Sequence, residues 1–414
     1  YEIMPSLVGL GDVYKRQDSS KNTSLRGISM HTNRSTRNRI TVATAVTALV
    51  AALSPALASA ALAPVDEFGG YPAPYSDEYG MPTEGYGPAQ TVWGKASRYD
   101  HKNPGRTPEG ANNFNCKPKV KGALPIVLVP GTGESAYATW AYYAPELTRR
   151  GYCVYTFNYG PALATVGNKF AQASLPFEGD LHASAKALGK FVNMVLKRTG
   201  APKVDFIGHS QGGGVLPNAY IKWYGGNKTV RHTVGLVASN FGTNLSLGSI
   251  PVVDPTTGTM LAFIPNPLTL ASSNYGSGKG LSDVIDTIPG GRDLMVKVMN
   301  AANMTSSEQQ TKNSEFLKKY SSTPITMPGV KYTVITTRFD DVVTPYRNAF
   351  IFEPGVTNVV VQDYCANDHS DHFTFSYDPN ALEIAVNALQ GNANKPIKCP
   401  VSYTHLTLPT SDLV

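Results

Sequence analysis

The segment VDFIGHSQGGGVL, residues 204–216, constrains this chain more than any other. A short apolar run, VDFIG, leads into Gly208-His209-Ser210-Gln211-Gly212, and GGGVL follows as a helix start. Taken alone, Gly-x-Ser-x-Gly occurs too often by chance to carry meaning. A strand before it and a helix after it make it specific, because the chain must then reverse within a few residues. Such a turn is tight and strained, so small residues have to flank Ser210 on both sides. The serine is displayed at the tip, and the helix N-terminus adds positive potential beside it.

The surrounding sequence fits that demand. PIVLV (125–129) is a continuous apolar run, the mark of a strand buried on both faces. Further strands are expected at 152–157, 203–207, 234–238, 332–336 and 358–362. Helices are expected at 140–150, 180–198, from about Gly212, and from Asp378-Pro379, where Asp caps and Pro fills the first turn. In the 180–198 helix, Leu181, Ala185, Leu188, Val192 and Val195 fall on one stripe, and Gly200 follows as a stop. Alternation of this kind predicts an α/β fold, a mostly parallel sheet with helices on both faces. The rhythm breaks between about 241 and 330, with weak helices at 293–302 and 315–320. This insert reads as a cap or lid over the site, or as excursions packed beside the sheet.

The ends read differently. Residues 30–60 have the plan of a secretory signal: Arg34, Arg37 and Arg39, then an apolar stretch from Ile40 to Leu53, then Ala58-Ser59-Ala60 for cleavage. The apolar stretch is short for a membrane span. Residues 1–29 and 401–414 lack a periodic apolar face and are set aside as foreign to the fold. Residues 61–110 are rich in Pro, Gly and Tyr and read as a linker or a surface-hugging arm. The catalytic domain is expected at 111–400. The net charge is +6, but without residues 1–60 and 401–414 only 29 basic residues face 26 acidic ones. That balance gives no reason to invoke nucleic acid. Four cysteines, Cys116, Cys153, Cys365 and Cys399, are an even number in a chain expected to be exported. Three pairings are available, and nearest-in-sequence pairing, Cys116–Cys153 and Cys365–Cys399, is the expectation.

A serine hydroxyl is a poor nucleophile until a base takes its proton, and the base needs a carboxylate to orient it. On a strand–turn–helix elbow those partners follow in the order Ser…Asp…His. Asp340 and Asp341 in RFDDVVTP come after the fifth strand. His369 and His372 in DHSDH come after the last. The loop Pro130-Gly131-Thr132-Gly133 follows the first buried strand. That position, together with the residue after the serine, Gln211, is where two backbone N–H groups would hold an oxyanion. His209 sits inside the turn and points away from Ser210, so it reads as a positional residue rather than a base. The Asp363, Asp368, His369, Asp371, His372 group matches no standard metal spacing, and neither metal nor cofactor is expected.

PIVLVPGTG, GYCVYTFNYG, GHSQGG, TRFDDVVTPY and DHFTFSYDP together resemble the secreted class 2 lipase family of actinobacteria, from about Cys116 to Cys399. That family usually has His-Gly where this chain has Pro130-Gly131; the secreted yeast lipase B carries a similar PGTG loop. The resemblance implies the α/β-hydrolase fold, Ser210 as nucleophile, Asp340 as acid, His372 as base, and Thr132 and Gln211 at the oxyanion hole. It also implies disulfides near both ends of the domain. The expected protein is a secreted, monomeric lipase or carboxylesterase acting on a lipid or other ester, with a lipid–water interface as one setting. A polyester or amide hydrolase would use the same machinery, and a catalytically dead exported binding protein is the non-enzyme alternative.

Overall fold

A computed structural model describes residues 75–160, 179–244, 249–253, 260–265, 281–301 and 304–399. The expected signal segment, both extreme ends and part of the insert lie outside the described residues. The described chain runs through helix α1 (Trp93–Lys102), strand β1 (Ile126–Val129), helices α2 (Ala136–Trp140) and α3 (Tyr143–Arg149), and strand β2 (Val154–Thr156). Helix α4 (Leu181–Thr199), strand β3 (Val204–His209), helix α5 (Val215–Trp223) and strand β4 (Val230–Leu236) come next. The insert holds an antiparallel pair, β5 (Ser249–Val253) and β6 (Met260–Pro265). Its helices are α6 (Leu281–Ile285), α7 (Gly291–Ala301), α8 (Thr305–Gln309) and α9 (Glu315–Ser321). Strands β7 (Lys331–Thr336) and β8 (Val356–Val360) and helix α10 (Pro379–Leu389) complete it.

The main sheet has the order β8-β7-β4-β3-β1-β2, with every pairing parallel. Strand β1 shows why its sequence is apolar throughout. Val127 and Val129 join a core with Phe191 and Val195 of α4 and Leu216 of α5. Ile126 and Leu128 point the other way, into a second core with Tyr143 and Leu147 of α3 and Leu382 and Ala385 of α10. Alternate side chains of one strand therefore feed both faces, and each fully buried one contributes about 1.5–3 kcal/mol. This is the α/β-hydrolase fold. Helix α4 begins and ends as its sequence demands: the Asp180 carboxylate accepts from the Ala183 N–H at 2.9 Å, and Gly200 turns left-handed at φ 72°.

Two elements differ from expectation. The single helix expected at 140–150 is two short ones, α2 and α3, separated at Ala141-Tyr142. Ser135 caps the first by accepting from the Ala138 N–H, so the helical segment starts earlier than its apolar pattern suggested. Strand β4 begins at Val230 rather than at 234, because Arg231 is paired with Asp205 on β3 and His232 bonds the Thr333 hydroxyl. Those polar side chains hid the start of a buried strand. Within residues 75–110, α1 packs Trp93 and Ala96 against Tyr137 and Tyr377.

The insert is in part an excursion beside the sheet, since Phe316, Leu317 and Tyr320 of α9 belong to the main core. Ile285, Met295 and Met299 form a small core of their own. Disulfides join Cys116 to Cys153 and Cys365 to Cys399, across sequence separations of 37 and 34. Loops of that length closed in the unfolded chain are worth about 2–4 kcal/mol each. Among the described residues no helix is long and apolar enough to cross a membrane.

Candidate active site

Strand β3 ends at His209, and a single 3₁₀ turn, Ser210–Gly213, separates it from α5. Ser210 itself has φ 55°, in the left-handed region that a residue with a Cβ occupies only under constraint. The flanking glycines explain how the turn closes. A Cβ on Gly208 would lie 1.7 Å from the Gly212 carbonyl oxygen, and one on Gly212 would lie 2.2 Å from that of Pro130.

The two partner loops converge on this turn. Asp340 sits after β7, fixed by the N–H groups of Val342 (3.1 Å) and Val343 (2.8 Å) donating to its Oδ1. His372 sits after β8. Its Nδ1 is 2.9 Å from the same Asp340 oxygen and its Nε2 is 2.9 Å from Ser210 Oγ. All three residues are buried. Burial alone would lower the His372 pKa. The Asp340 charge and hydrogen bond outweigh it and hold the imidazole above its ordinary value of 6.5.

The neighbouring candidates lie elsewhere. His369 is exposed, with its ring 5.0 Å from Phe339. The Asp368 carboxylate accepts from the Ser370 N–H and the Asn380 side chain, pinning the His372 loop to the start of α10. Among the described residues no group of three or more His, Cys, Asp or Glu is arranged to hold a metal ion.

The Pro130–Gly133 loop abuts the elbow: a Cβ on Gly131 would lie 3.1 Å from Ser210 Cβ. The side chains of Thr132 and Gln211 meet there, the Thr132 hydroxyl donating to Gln211 Oε1 at 3.1 Å. The Gln211 amide donates to the Tyr159 hydroxyl, which donates to the Pro130 carbonyl. Gln310, just past α8 in the insert, donates to Gln211 Oε1 at 2.7 Å and to Thr132 Oγ1 at 3.1 Å, while Ser239 donates to its carbonyl. Sequence reasoning missed Gln310, and a lone glutamine in a polar stretch carries no signal. Glu134 was missed as well. It is buried one residue after the loop, close to His209.

The sequence profile of the lipase (class 2) family matches residues 123–379, which takes in the elbow, Asp340 and His372. The chain belongs to the class 2 lipase family. No curated protein matches it significantly. Among solved structures it is similar to lipase B of Aspergillus fumigatus, at 18% identity and a TM-score of 0.45, over 69% of this chain and 55% of that one. The class 2 chain thus spans little more than half the length of that fungal lipase. A bromoperoxidase from Bacillus anthracis is similar at 14% identity and a TM-score of 0.36, over 65% of this chain and 92% of its own. An esterase from a Rhodococcus species matches at 14% and 0.36, over 68% and 92%.

Proposed function

We propose that this class 2 lipase is an exported serine hydrolase that cleaves carboxylic esters of lipids, with Ser210, His372 and Asp340 as its catalytic triad. One arrangement carries the reading: a buried imidazole placed between a carboxylate and a serine hydroxyl, 2.9 Å from each, at a strained strand–turn–helix elbow. His372 Nε2 takes the Ser210 proton as Oγ attacks the ester carbonyl. The carbonyl π electrons move onto oxygen, held by the backbone N–H groups of Thr132 and Gln211. His372 then returns the proton to the departing alcohol. Water, deprotonated by the same nitrogen, cleaves the acyl-enzyme to acid and free serine. Asp340 keeps the imidazole in the useful tautomer. Export rests on the signal-like plan of residues 30–60 and on the two disulfides.

The test is hydrolysis of an ester series from acetate to oleate, with an emulsified triacylglycerol, alongside labelling by a fluorophosphonate. Ester turnover and one-to-one labelling at Ser210 are expected. A folded protein inert to every ester and to the label would overturn the reading.

The side-chain web around Thr132 sets a separate expectation. A hydroxyl has one proton, and here it goes to Gln211. Thr132→Val therefore removes two bridging hydrogen bonds, the one donated to Gln211 and the one accepted from Gln310, neither of them to substrate, and should lower kcat/KM by no more than about tenfold. A loss of about 30-fold or more, near 2–4 kcal/mol, would instead place that hydroxyl on the oxyanion in the transition state.

A further inference from the structure

We infer that Glu134 and His209 form a buried strut, tied to the N-terminal arm by Trp93, that positions the main chain of His372 and so sets the catalytic rate. The inference rests on the triad reading above. It begins from a carboxylate and an imidazole that no chemical step uses. Glu134 is 4% exposed and His209 is 1% exposed. Burying such groups is unfavourable unless each is held by partners, and the partners here all lead to the base.

His209 Nε2 lies 2.8 Å from the main-chain carbonyl oxygen of His372. A carbonyl only accepts, so this nitrogen is the donor. The other ring nitrogen, Nδ1, lies 3.1 Å from Glu134 Oε2, a close polar contact rather than an aligned hydrogen bond. Glu134 in turn accepts from Trp93 Nε1 at 2.5 Å and from the Thr139 hydroxyl at 3.3 Å. Trp93 belongs to α1, and its ring also packs 5.0 Å from Phe373, the residue after the base. The arm, the Pro130–Gly133 loop, the elbow and the base loop are thereby joined through three side chains.

The consequence is geometric. Asp340 holds the His372 ring at Nδ1, but one hydrogen bond leaves a ring free to pivot. The strut holds the same residue by its main-chain carbonyl. With both ends fixed, Nε2 stays on the line to Ser210 Oγ. A displacement of about 1 Å at a reacting group is enough to cost about 10²-fold in rate. Glu134 and His209 touch neither substrate nor the reacting atoms, so they are positioning residues.

Three measurements on the full chain test this: kcat and KM on a soluble short-chain ester, the rate of fluorophosphonate labelling, and the low-field proton resonance of the His372–Asp340 hydrogen bond. Glu134→Gln keeps the volume and the acceptor for Trp93 but removes the charge facing His209. The expected result is a 10- to 100-fold fall in kcat, KM within twofold, labelling slowed in parallel, and a broadened or shifted low-field proton. Trp93→Phe keeps the ring on Phe373 and removes only the N–H, with an expected fall in kcat of about 3- to 10-fold. If Glu134→Gln does not fold, Trp93→Phe decides in its place. A folded variant with wild-type kcat and an unchanged low-field proton overturns the strut. Failure of the wild-type protein to label overturns the triad reading instead, so the two outcomes remain distinct.

Discussion

Replacing Ser210 by alanine is expected to lower ester turnover by about 10⁴- to 10⁶-fold while leaving the fold intact. The size follows from removing a nucleophile whose partners act only through it; the small remainder comes from substrate binding and the oxyanion donors. Stability should change little. Serine and alanine meet the same steric cost at the left-handed φ of 55°, and that cost is already imposed by the packing of Gly208 and Gly212 around the turn. The check is kcat/KM on a short-chain ester beside a thermal melt followed by circular dichroism. A folded alanine variant retaining a tenth or more of wild-type turnover would remove Ser210 from the mechanism.

His372→Ala is expected to cost about as much as the serine substitution, and His369→Ala no more than a few-fold. The two histidines are three residues apart, yet only His372 bridges Asp340 and Ser210. The same contrast should hold between Asp340→Asn, with a loss of about 10⁴-fold, and Asp341→Asn. The pH profile adds a sign. The base works only when neutral, so kcat/KM should fall as acidity protonates it. The Asp340 charge raises the His372 pKa, which puts the acid limb above pH 6.5. Asp340→Asn deletes the largest contribution to that rise, leaving those of Asp341 and Glu134, and the midpoint of its residual activity should move to lower pH. A midpoint that stays put, or moves upward, would mean that another group controls the limb.

The parts of this protein legible in its sequence are those where one short segment must satisfy one strong constraint. PIVLV is buried on both faces of the sheet, so all its residues are apolar and the strand could be placed. The elbow glycines are demanded by backbone clashes local to the turn. Strand ends narrowed the acid to Asp340 or Asp341 and the base to His369 or His372, and only the family resemblance chose between them. What stayed hidden depends on pairs of segments far apart in the chain. Arg231 and His232 obscured β4 because their partners, the Asp205 carboxylate and the Thr333 hydroxyl, lie 26 and 101 residues away. Trp93 stood in a Pro- and Gly-rich stretch, and nothing local announced that its indole meets Glu134 across 41 positions. Gln310 reaches Gln211 across 99 and was invisible for the same reason. His209 could be read as positional, but its partners could not be named without coordinates.

The order of the triad along the chain gives the protein a timetable. The serine lies 162 residues ahead of the histidine, and the histidine lies inside the loop closed by Cys365 and Cys399. A ribosome making this chain completes the elbow and all six strands of the main sheet before it reaches His372. Until then, on the proposed reading, Ser210 has no base to activate it. On the proposed reading the His372 loop is the last part of the site to be made, and the Cys365–Cys399 bond that encloses it forms where the surroundings are oxidising. If the chain is exported as proposed, the hydrolase would be armed only once it has left.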